Sequence, residues 1–497
     1  MKALSSGVHR ALNSRFHTGP VSFSSVQRAL PVGQFLALCV ALSLVGLLLV
    51  PVNLPGLGFE ARVTLAVFTL ATCAWVATPL DDTHVALGAG LLLTVSGVVS
   101  ADALFGTLGD ATIWLLICAF VLAAAVARSG LAGRLAVFLV SGARTVRQLA
   151  HLSTAALVVS AFAVPATSGR AALALPVFVA LARALADRRR VVVALALLFP
   201  TVILLSAVAT LIGAGAHLIT VSVLWETTGR RIGFHEWLLL GLPLAVVSSH
   251  LAAEVVLLSM TRRADRRAPV AVAPEDVERC GERPVTGPLT PVERRCAALL
   301  CAVVALWSAE PLHGLSPAVV ALAGAVAATA PGFGAVTLKA ALATVPWSLL
   351  LFMAATMALG VALLTSGAAE WLLGGLPGDA VPPWAFLGVV VALSTAAHLV
   401  LQSRSARSSV LVPLVVAGAL GAGVDPVSAA LASTAAAGFC HTLPASAKPV
   451  ALFAEVPGVP TYTPADLLRL SAVLAPLTAA LVWLFALVVW PHLGVAP

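Results

Sequence analysis

The sequence predicts an all-α polytopic membrane protein with two inverted repeats and about 11 transmembrane spans. The chain has 497 residues, of which 60% are hydrophobic and 10% are charged, and its mean hydropathy is +1.03. A soluble domain carries roughly 25% charged residues, so this chain is too apolar to cover a water-facing surface. A second observation is an internal repeat, in which the segments around Arg170 and Arg407 correspond at one constant offset along the chain.

The repeated segment covers Pro165–Pro176 in the first half and Ser403–Pro413 in the second half. At the common offset, Ser168 aligns with Ser405, and each segment has small residues beside an arginine and a proline six residues later. Small residues allow a ligand to approach the backbone closely. Related halves of an apolar chain indicate a duplicated membrane protein whose site lies between the repeats.

The first half begins with an Arg- and Ser-rich tail, residues 1–32, which contains no acid. We expect this tail to be cytoplasmic by the positive-inside rule, although a transit peptide has a similar composition. Residues 33–259 then form the first half, with a broken hairpin at 148–184 and an interrupted helix at 191–226. The uninterrupted apolar runs, each near the roughly 20 residues that a span requires, are 33–52, 62–79, 84–100, 112–128 and 236–259.

Charge supports a re-entrant hairpin at 148–184. Three arginine clusters flank it or follow it along the chain, at residues 128–147, 188–190 and 262–267. If the hairpin enters and leaves on the same side, all three clusters lie on the cytoplasmic side with the N-terminus. A full span at this place would put the last two clusters outside.

The hydrophilic segment 260–294 is predicted to be a cytoplasmic linker between the halves. Residues 295–497 form the second half, with a second hairpin at 382–421 and a second interrupted helix at 425–458. The remaining spans are predicted at 295–310, 315–331, 346–365 and 465–490. An odd number of spans separates the two repeats, so the second repeat is inverted.

Several motifs carry a family resemblance. Asp110–Trp114, Leu351–Trp371, Gly233–Pro243 and Leu443–Ser446 occur with the hairpins in the expected order. The chain resembles the divalent anion:sodium symporter family, whose members carry dicarboxylates, citrate and sulfate. The resemblance covers about residues 60–490. It implies a homodimer with a fixed scaffold domain and a transport domain that carries the site across the membrane in an elevator-type movement.

The resemblance also implies site residues. The family's hairpin tips read Ser-Asn-Thr and its helix breaks end in Asn, whereas this chain has no Asn at any of these places. The aligned positions and their neighbours predict nine substrate-binding residues: Thr167, Ser168, Gly169, Arg170, Ser403, Arg404, Ser405, Arg407 and Lys448. They also predict three residues near a coupling ion: Gly213, His217 and Ser446.

Cations have replaced much of the family pattern. An unpaired ionisable residue at the bilayer centre costs about 2.5–3.5 kcal/mol, and few acids lie near these positions in the sequence. Arginine binds two oxygens of a carboxylate or sulfate at once. We therefore predict a small-anion transporter in which fixed cations replace sodium, with exchange, facilitated movement or proton coupling through His217 as alternatives. No cofactor is predicted, and the missing Asn residues argue against a sodium ion.

Other readings of the same residues remain open. In one alternative, the three arginines Arg170, Arg404 and Arg407 snorkel, which means that they extend to the membrane interface. Lys448 would then be a charge at a helix end, and His217 would be a structural histidine. A membrane anion sensor or partner-binding protein is a rival function, and a cation/proton antiporter would require a midplane acid that these motifs do not contain.

The sequence has no metalloprotease, hydrolase or P-loop motif. The net charge of +8 comes mainly from short loops, so it does not indicate nucleic acid. The composition suggests a bacterial inner membrane.

Overall fold

The computed structural model describes residues 56–270, 286–373 and 381–497. The predicted tail, the span at 33–52 and residues 271–285 of the linker lie outside the described residues. Within the described ranges the chain is helical, with one isolated β-bridge between Thr145 and Pro269. Seven helices are long and apolar enough to cross a membrane. The predicted class, an all-α membrane protein, is confirmed.

Residues 56–270, the first half and the start of the linker, contain eleven α-helices. They are α1 Phe59–Ala77, α2 Asp82–Val95, α3 Ala101–Gly106, α4 Ala111–Ser129, α5 Leu131–Ser141, α6 Val146–Ala163, α7 Thr167–Ala184, α8 Arg189–Leu205, α9 Gly215–Thr228, α10 Phe234–Met260 and α11 Arg263–Arg267. Asp81, Asp110 and Thr145 cap α2, α4 and α6 with side-chain oxygens that accept backbone N–H bonds.

The second half contains twelve α-helices in the described residues. They are α12 Pro291–Ser308, α13 Glu310–His313, α14 Pro317–Thr329, α15 Leu338–Leu342, α16 Trp347–Thr365, α17 Ala368–Leu373, α18 Pro383–Ala396, α19 Arg404–Gly421, α20 Pro426–Ala437, α21 Lys448–Ala454, α22 Pro464–Leu484 and α23 Trp490–His492.

The membrane-length helices lie in both halves. The candidate spans are Phe59–Ala77, Ala101–Ser129, Val146–Ala163, Arg189–Ala209, Phe234–Met260, Trp347–Thr365 and Pro464–His492. Four shorter apolar helices accompany them: Asp82–Val95, Pro317–Thr329, Pro383–Leu399 and Pro426–Ala437. The first hairpin helix, Val146–Ala163, is itself among the candidates, so helix length does not decide whether the hairpin is re-entrant. The number of spans stays a prediction.

Helix boundaries recur along the chain at the offset of the sequence repeat. Helices α7 and α19 are each 18 residues long, and each has a proline inside, Pro176 and Pro413. Their first residues, Thr167 and Arg404, are as far apart in the sequence as these two prolines. The preceding helices, α6 and α18, begin at Val146 and Pro383, which are separated by the same offset. The two hairpin segments therefore share their local structure.

Each half also contains a helix break after its hairpin. In the first half, α8 ends at Leu205, and 3₁₀ turns at Ser206–Ala209 and Leu211–Gly213 lead to α9. In the second half, α20 ends at Ala437, and a 3₁₀ turn at Pro444–Ser446 leads to α21. Such irregular backbone is tolerated at membrane depth only where it lines a cavity or is buried in protein.

The two halves pack against each other around α9. This helix contacts α16, α19 and α20 of the second half. At its centre, the buried Thr220 hydroxyl lies 2.6 Å from the Thr434 hydroxyl of α20. The first helix break and the second hairpin are thereby held side by side.

Candidate functional site

A cavity of about 810 Å³ lies where the hairpin tips and the second helix break meet. Its wall also includes the α1–α2 connection and the first turns of α16, from Ser348 to Phe352. Eight of the twelve predicted site residues line it: Thr167, Ser168, Ser403, Arg404, Ser405, Arg407, Ser446 and Lys448. The structure therefore brings together residues that are distant in sequence and belong to both halves.

Both hairpin helices present their N-terminal ends to this cavity. Helix α19 begins after Ser403, whose side-chain oxygen accepts a hydrogen bond from the Ala406 N–H at 3.3 Å. Helix α7 begins after Ala166, which has φ +67° and is the single non-glycine residue with positive φ in the described part of the chain. Free N–H groups and the positive end of the helix dipole at such termini favour an anion.

Arg407 is the buried cation of this wall. Its side chain is 0% exposed, and its Nη1 donates to the Phe439 carbonyl at 3.1 Å. Its Nε and Nη2 atoms are buried and have no hydrogen-bond partner among the described residues. These two nitrogens form one edge of the guanidinium, which is the edge that binds two oxygens of a carboxylate or sulfate.

Arg404 lies three residues earlier, on the same face of α19. Its Nη2 is 3.2 Å from the His217 Nε2 atom of α9, while Nε and Nη1 are buried without a partner in the described part of the chain. The guanidinium packs against Gly438, where a Cβ atom would lie 2.7 Å from Arg404 Nη2. A Cβ atom there would also lie 2.8 Å from the Ala435 carbonyl oxygen, so this glycine accommodates the backbone as well as the arginine.

Arg170 is placed differently from the prediction, because it does not line this cavity. Its side chain is 1% exposed and donates to the Ser160 and Ser206 hydroxyls at 3.0 and 2.6 Å and to the Leu157 and Ile203 carbonyls at 2.5 and 3.0 Å. Neutral acceptors of α6 and α8 therefore hold the whole guanidinium inside the first half. Neither Arg170 nor Arg407 extends to the protein surface, as a snorkelling side chain would.

The remaining three predicted residues lie behind the cavity wall. At Gly213, a Cβ atom would be 2.0 Å from the Ala207 carbonyl oxygen, so this glycine serves backbone packing within the break. At Gly169, a Cβ atom would meet Val164 at 3.2 Å. His217 is fully buried and reaches the site only through Arg404.

Two carboxylates in the cavity were not predicted. Asp81 and Asp82 reach its wall from the α1–α2 connection, where Asp82 lies beside Ser403 and Lys448. The sequence signal was an acidic pair between two apolar runs, far from both repeats. The expectation of a site almost free of acids is corrected: three cationic side chains and two carboxylates line the cavity.

These carboxylates do not neutralise the arginines. Within residues 56–270, 286–373 and 381–497, no ion pair joins Arg404 or Arg407 to an acid. The same ranges contain no group of three or more His, Cys, Asp or Glu residues suited to a metal ion. Two arginines of one cavity wall thus have buried donors without a partner among the described residues.

The family can now be assigned from comparison with known proteins. The sequence model of the family described as "Citrate transporter" matches residues 72–436, which is most of the chain. The chain belongs to the citrate transporter family. This result confirms the resemblance to the divalent anion:sodium symporters, and it makes the protein an integral membrane transporter.

Other known proteins are similar to this citrate transporter family member over most of its length. A protein of Cupriavidus necator described as "Membrane protein" is 24% identical over an alignment of 483 residues, which covers 90% of this chain and 92% of that protein. The crystal structure of the Alcanivorax borkumensis YdaH transporter has a TM-score of 0.51 and 17% identity, covering 94% of this chain and 100% of that one. Neisseria gonorrhoeae MtrF, described with a class of antimetabolite efflux pumps, has a TM-score of 0.54 and 13% identity, covering 87% and 95%. At these identities, the two structures support the fold alone.

Proposed function

We propose that this protein transports small anions of the dicarboxylate or sulfate class, with citrate included because of the family name. The observation that carries the proposal is the unpaired edge of the buried guanidinium of Arg407, a residue that lies in the cavity wall. A buried donor without a partner is costly, and an unpaired buried charge more so. A bound carboxylate or sulfate would satisfy both nitrogens and the charge together.

The predicted residues form two groups in this proposal. Arg404, Arg407 and Lys448 supply charge, while Thr167, Ser168, Ser403 and Ser405 supply hydroxyl and backbone donors at the two helix ends. Helix dipoles contribute in the same direction, because both N-termini point at the cavity. The anion is thereby held by both halves of the chain at once.

Transport is proposed to be independent of sodium. In the family, sodium supplies positive charge beside the anion. Here Arg404 takes the place of the Asn in the second tip, and His217 and Val450 take the places of the Asn residues at the breaks. The fixed guanidinium groups would then perform the electrostatic task of the cation, and Ser446 and Gly213 would have no ion to bind.

The movement is proposed to be of the elevator type. The recurrence of the α6–α7 boundaries in α18–α19 supports two repeats, and the charge distribution supports their inversion. In this proposal the hairpins and broken helices carry the anion, while the early spans of each half form the scaffold of a homodimer. The protein would sit in a bacterial inner membrane with its N-terminus in the cytoplasm.

Uptake into proteoliposomes tests the function. Vesicles that contain the purified protein are given labelled succinate, citrate or sulfate, once in sodium chloride and once in choline chloride. Each measurement is made with an unlabelled anion either inside or outside the vesicles. We expect uptake of at least one anion that is equal in both salts. A strict sodium requirement would exclude the fixed-cation mechanism, and binding without uptake would instead favour an anion sensor.

A further inference from the structure

We propose that His217 is a positioning residue for the anion: a neutral imidazole that holds the Arg404 guanidinium toward the cavity. This inference rests on the proposed function, and it replaces the prediction that His217 carries a coupling proton. Three contacts, to a carbonyl, to an arginine and to a tryptophan, carry it.

The first contact comes from the helix break. Because the chain leaves the α-helix between α8 and α9, the Thr210 carbonyl belongs to a turn, where it accepts from the Gly213 N–H at 3.0 Å and has a second lone pair for another donor. It lies 3.0 Å from His217 Nδ1. A carbonyl oxygen can only accept, so Nδ1 carries the proton of the ring.

The second contact follows from that assignment. With the proton on Nδ1, the Nε2 atom of a neutral imidazole has a lone pair and can accept. Arg404 Nη2, which can only donate, is 3.2 Å away. A protonated ring would place a donor against a donor and a cation against a cation, so this geometry requires the neutral form.

The third contact fixes the ring plane. His217 stacks on Trp237 with a centroid distance of 4.9 Å and an interplanar angle of 29°. Trp237 is itself held by a hydrogen bond of 3.0 Å from its Nε1 to the Val208 carbonyl, and both rings are 0% exposed. The imidazole therefore has one orientation, and it transmits that orientation to Arg404.

The consequence for the site is specific. One nitrogen of Arg404, Nη2, is occupied by His217, which leaves Nε and Nη1 without a partner in the described part of the chain. A guanidinium held at one corner loses less conformational entropy when an anion binds. His217 thus acts on the anion through Arg404 and without touching it.

Two substitutions separate this role from proton transfer. In His217→Gln the side-chain amide can still accept from Arg404, whereas in His217→Leu nothing can. Succinate and sulfate dissociation constants are measured by titration calorimetry in detergent, and flux is measured with and without an imposed pH gradient. We expect His217→Leu to weaken anion binding by about tenfold and His217→Gln to weaken it by less than about threefold. The response of flux to the pH gradient should be unchanged in His217→Gln.

The His217→Leu and His217→Gln substitutions are also made in an Arg404→Ala background. If His217 acts only through Arg404, neither substitution should weaken anion binding further in that background. This cycle also controls for a folding defect of the Leu variant, since a defect would persist without Arg404. Wild-type affinity in His217→Leu, a persisting loss in the Arg404→Ala background, or loss of the pH response in His217→Gln would each overturn the inference. Absence of anion binding by the wild type would instead count against the proposed function.

Discussion

Arg170 and Arg407 occupy the same position in two helices of equal length, yet only Arg407 lies in the cavity wall and has nitrogens without a partner among the described residues. Arg170 donates four hydrogen bonds to acceptors in α6, in α8 and at Ser206, the first residue of the following 3₁₀ turn. Arg407 donates one, to the Phe439 carbonyl. The two halves have therefore diverged at this position, one arginine becoming structural and the other available to a ligand.

The divergence has a cause that can be read in the sequence. Two of the four acceptors of Arg170 are the hydroxyls of Ser160 and Ser206. In the hairpin Ser160 corresponds to Ala397, and with the helix breaks aligned on His217 and Val450 Ser206 corresponds to Phe439; neither residue of the second repeat has a side-chain acceptor. Arg407 thus has no internal substitute for an anion.

The serines around Arg170 should contribute to stability. We expect the double variant Ser160→Ala/Ser206→Ala to lower the free energy of unfolding by about 2–3 kcal/mol, because it leaves buried donors of a cation unpaired. Thermal unfolding of the purified protein measures this change. Ser249→Ala is a matched control, since the Ser249 hydroxyl is buried and has no partner among the described residues; its loss should be neutral. Equal effects of the two changes would show that Arg170 does not depend on these hydroxyls.

Gly438 should matter for both affinity and stability. In Gly438→Ala the new methyl group would lie 2.7 Å from Arg404 Nη2 and 2.8 Å from the Ala435 carbonyl oxygen, so the flexible guanidinium shifts from its place beside His217 and the backbone is crowded. We expect anion binding, measured by titration calorimetry, to weaken by about tenfold.

The control for that change is Gly421→Ala, at the end of the same helix as Arg404. Nothing lies within 4 Å of a Cβ atom there, so binding should be unchanged and stability slightly higher. Unaltered affinity in Gly438→Ala would mean that the position of Arg404 is not important for the anion.

Asp82 should oppose the anion. It lies in the cavity wall beside Ser403 and Lys448, so Asp82→Asn removes a negative charge from the site. We expect affinity for succinate to rise by about threefold at low ionic strength, and the gain to shrink as salt screens the site. Asp102→Asn, at an exposed position of α3, is the control and should have no effect. Weaker binding in Asp82→Asn would indicate that the carboxylate orients Lys448 instead.

Much of the fold could be predicted because it depends on local chemistry. Apolar length predicted the all-α membrane class, while the hairpins and helix breaks that arginine clusters and small residues before a proline indicate stay predictions. The internal repeat placed Ser168 and Ser405 as equivalent residues, and both line one cavity. These features require no knowledge of which side chains meet across the protein.

What the sequence did not predict concerns tertiary contacts. Arg170 was predicted to bind substrate because its repeat position equals that of Arg407, but the acceptors that hold it come from other helices. Asp81 and Asp82 belong to a connection outside the repeats, and only packing brings them to the cavity. The role of His217 likewise depends on the distance to Arg404, which lies 187 residues away in the chain.

Binding of succinate and sulfate to Arg407 variants tests the central claim most directly. Titration calorimetry compares the wild type with Arg407→Met, Arg407→Lys and Lys339→Met, the last being an exposed cation outside the cavity. We predict that affinity for the anion falls by about a hundredfold in Arg407→Met and is unchanged in Lys339→Met. In Arg407→Lys affinity should fall by about tenfold, because lysine keeps the charge but lacks the edge of two nitrogens. Wild-type affinity in Arg407→Met, with the protein folded, would contradict the account.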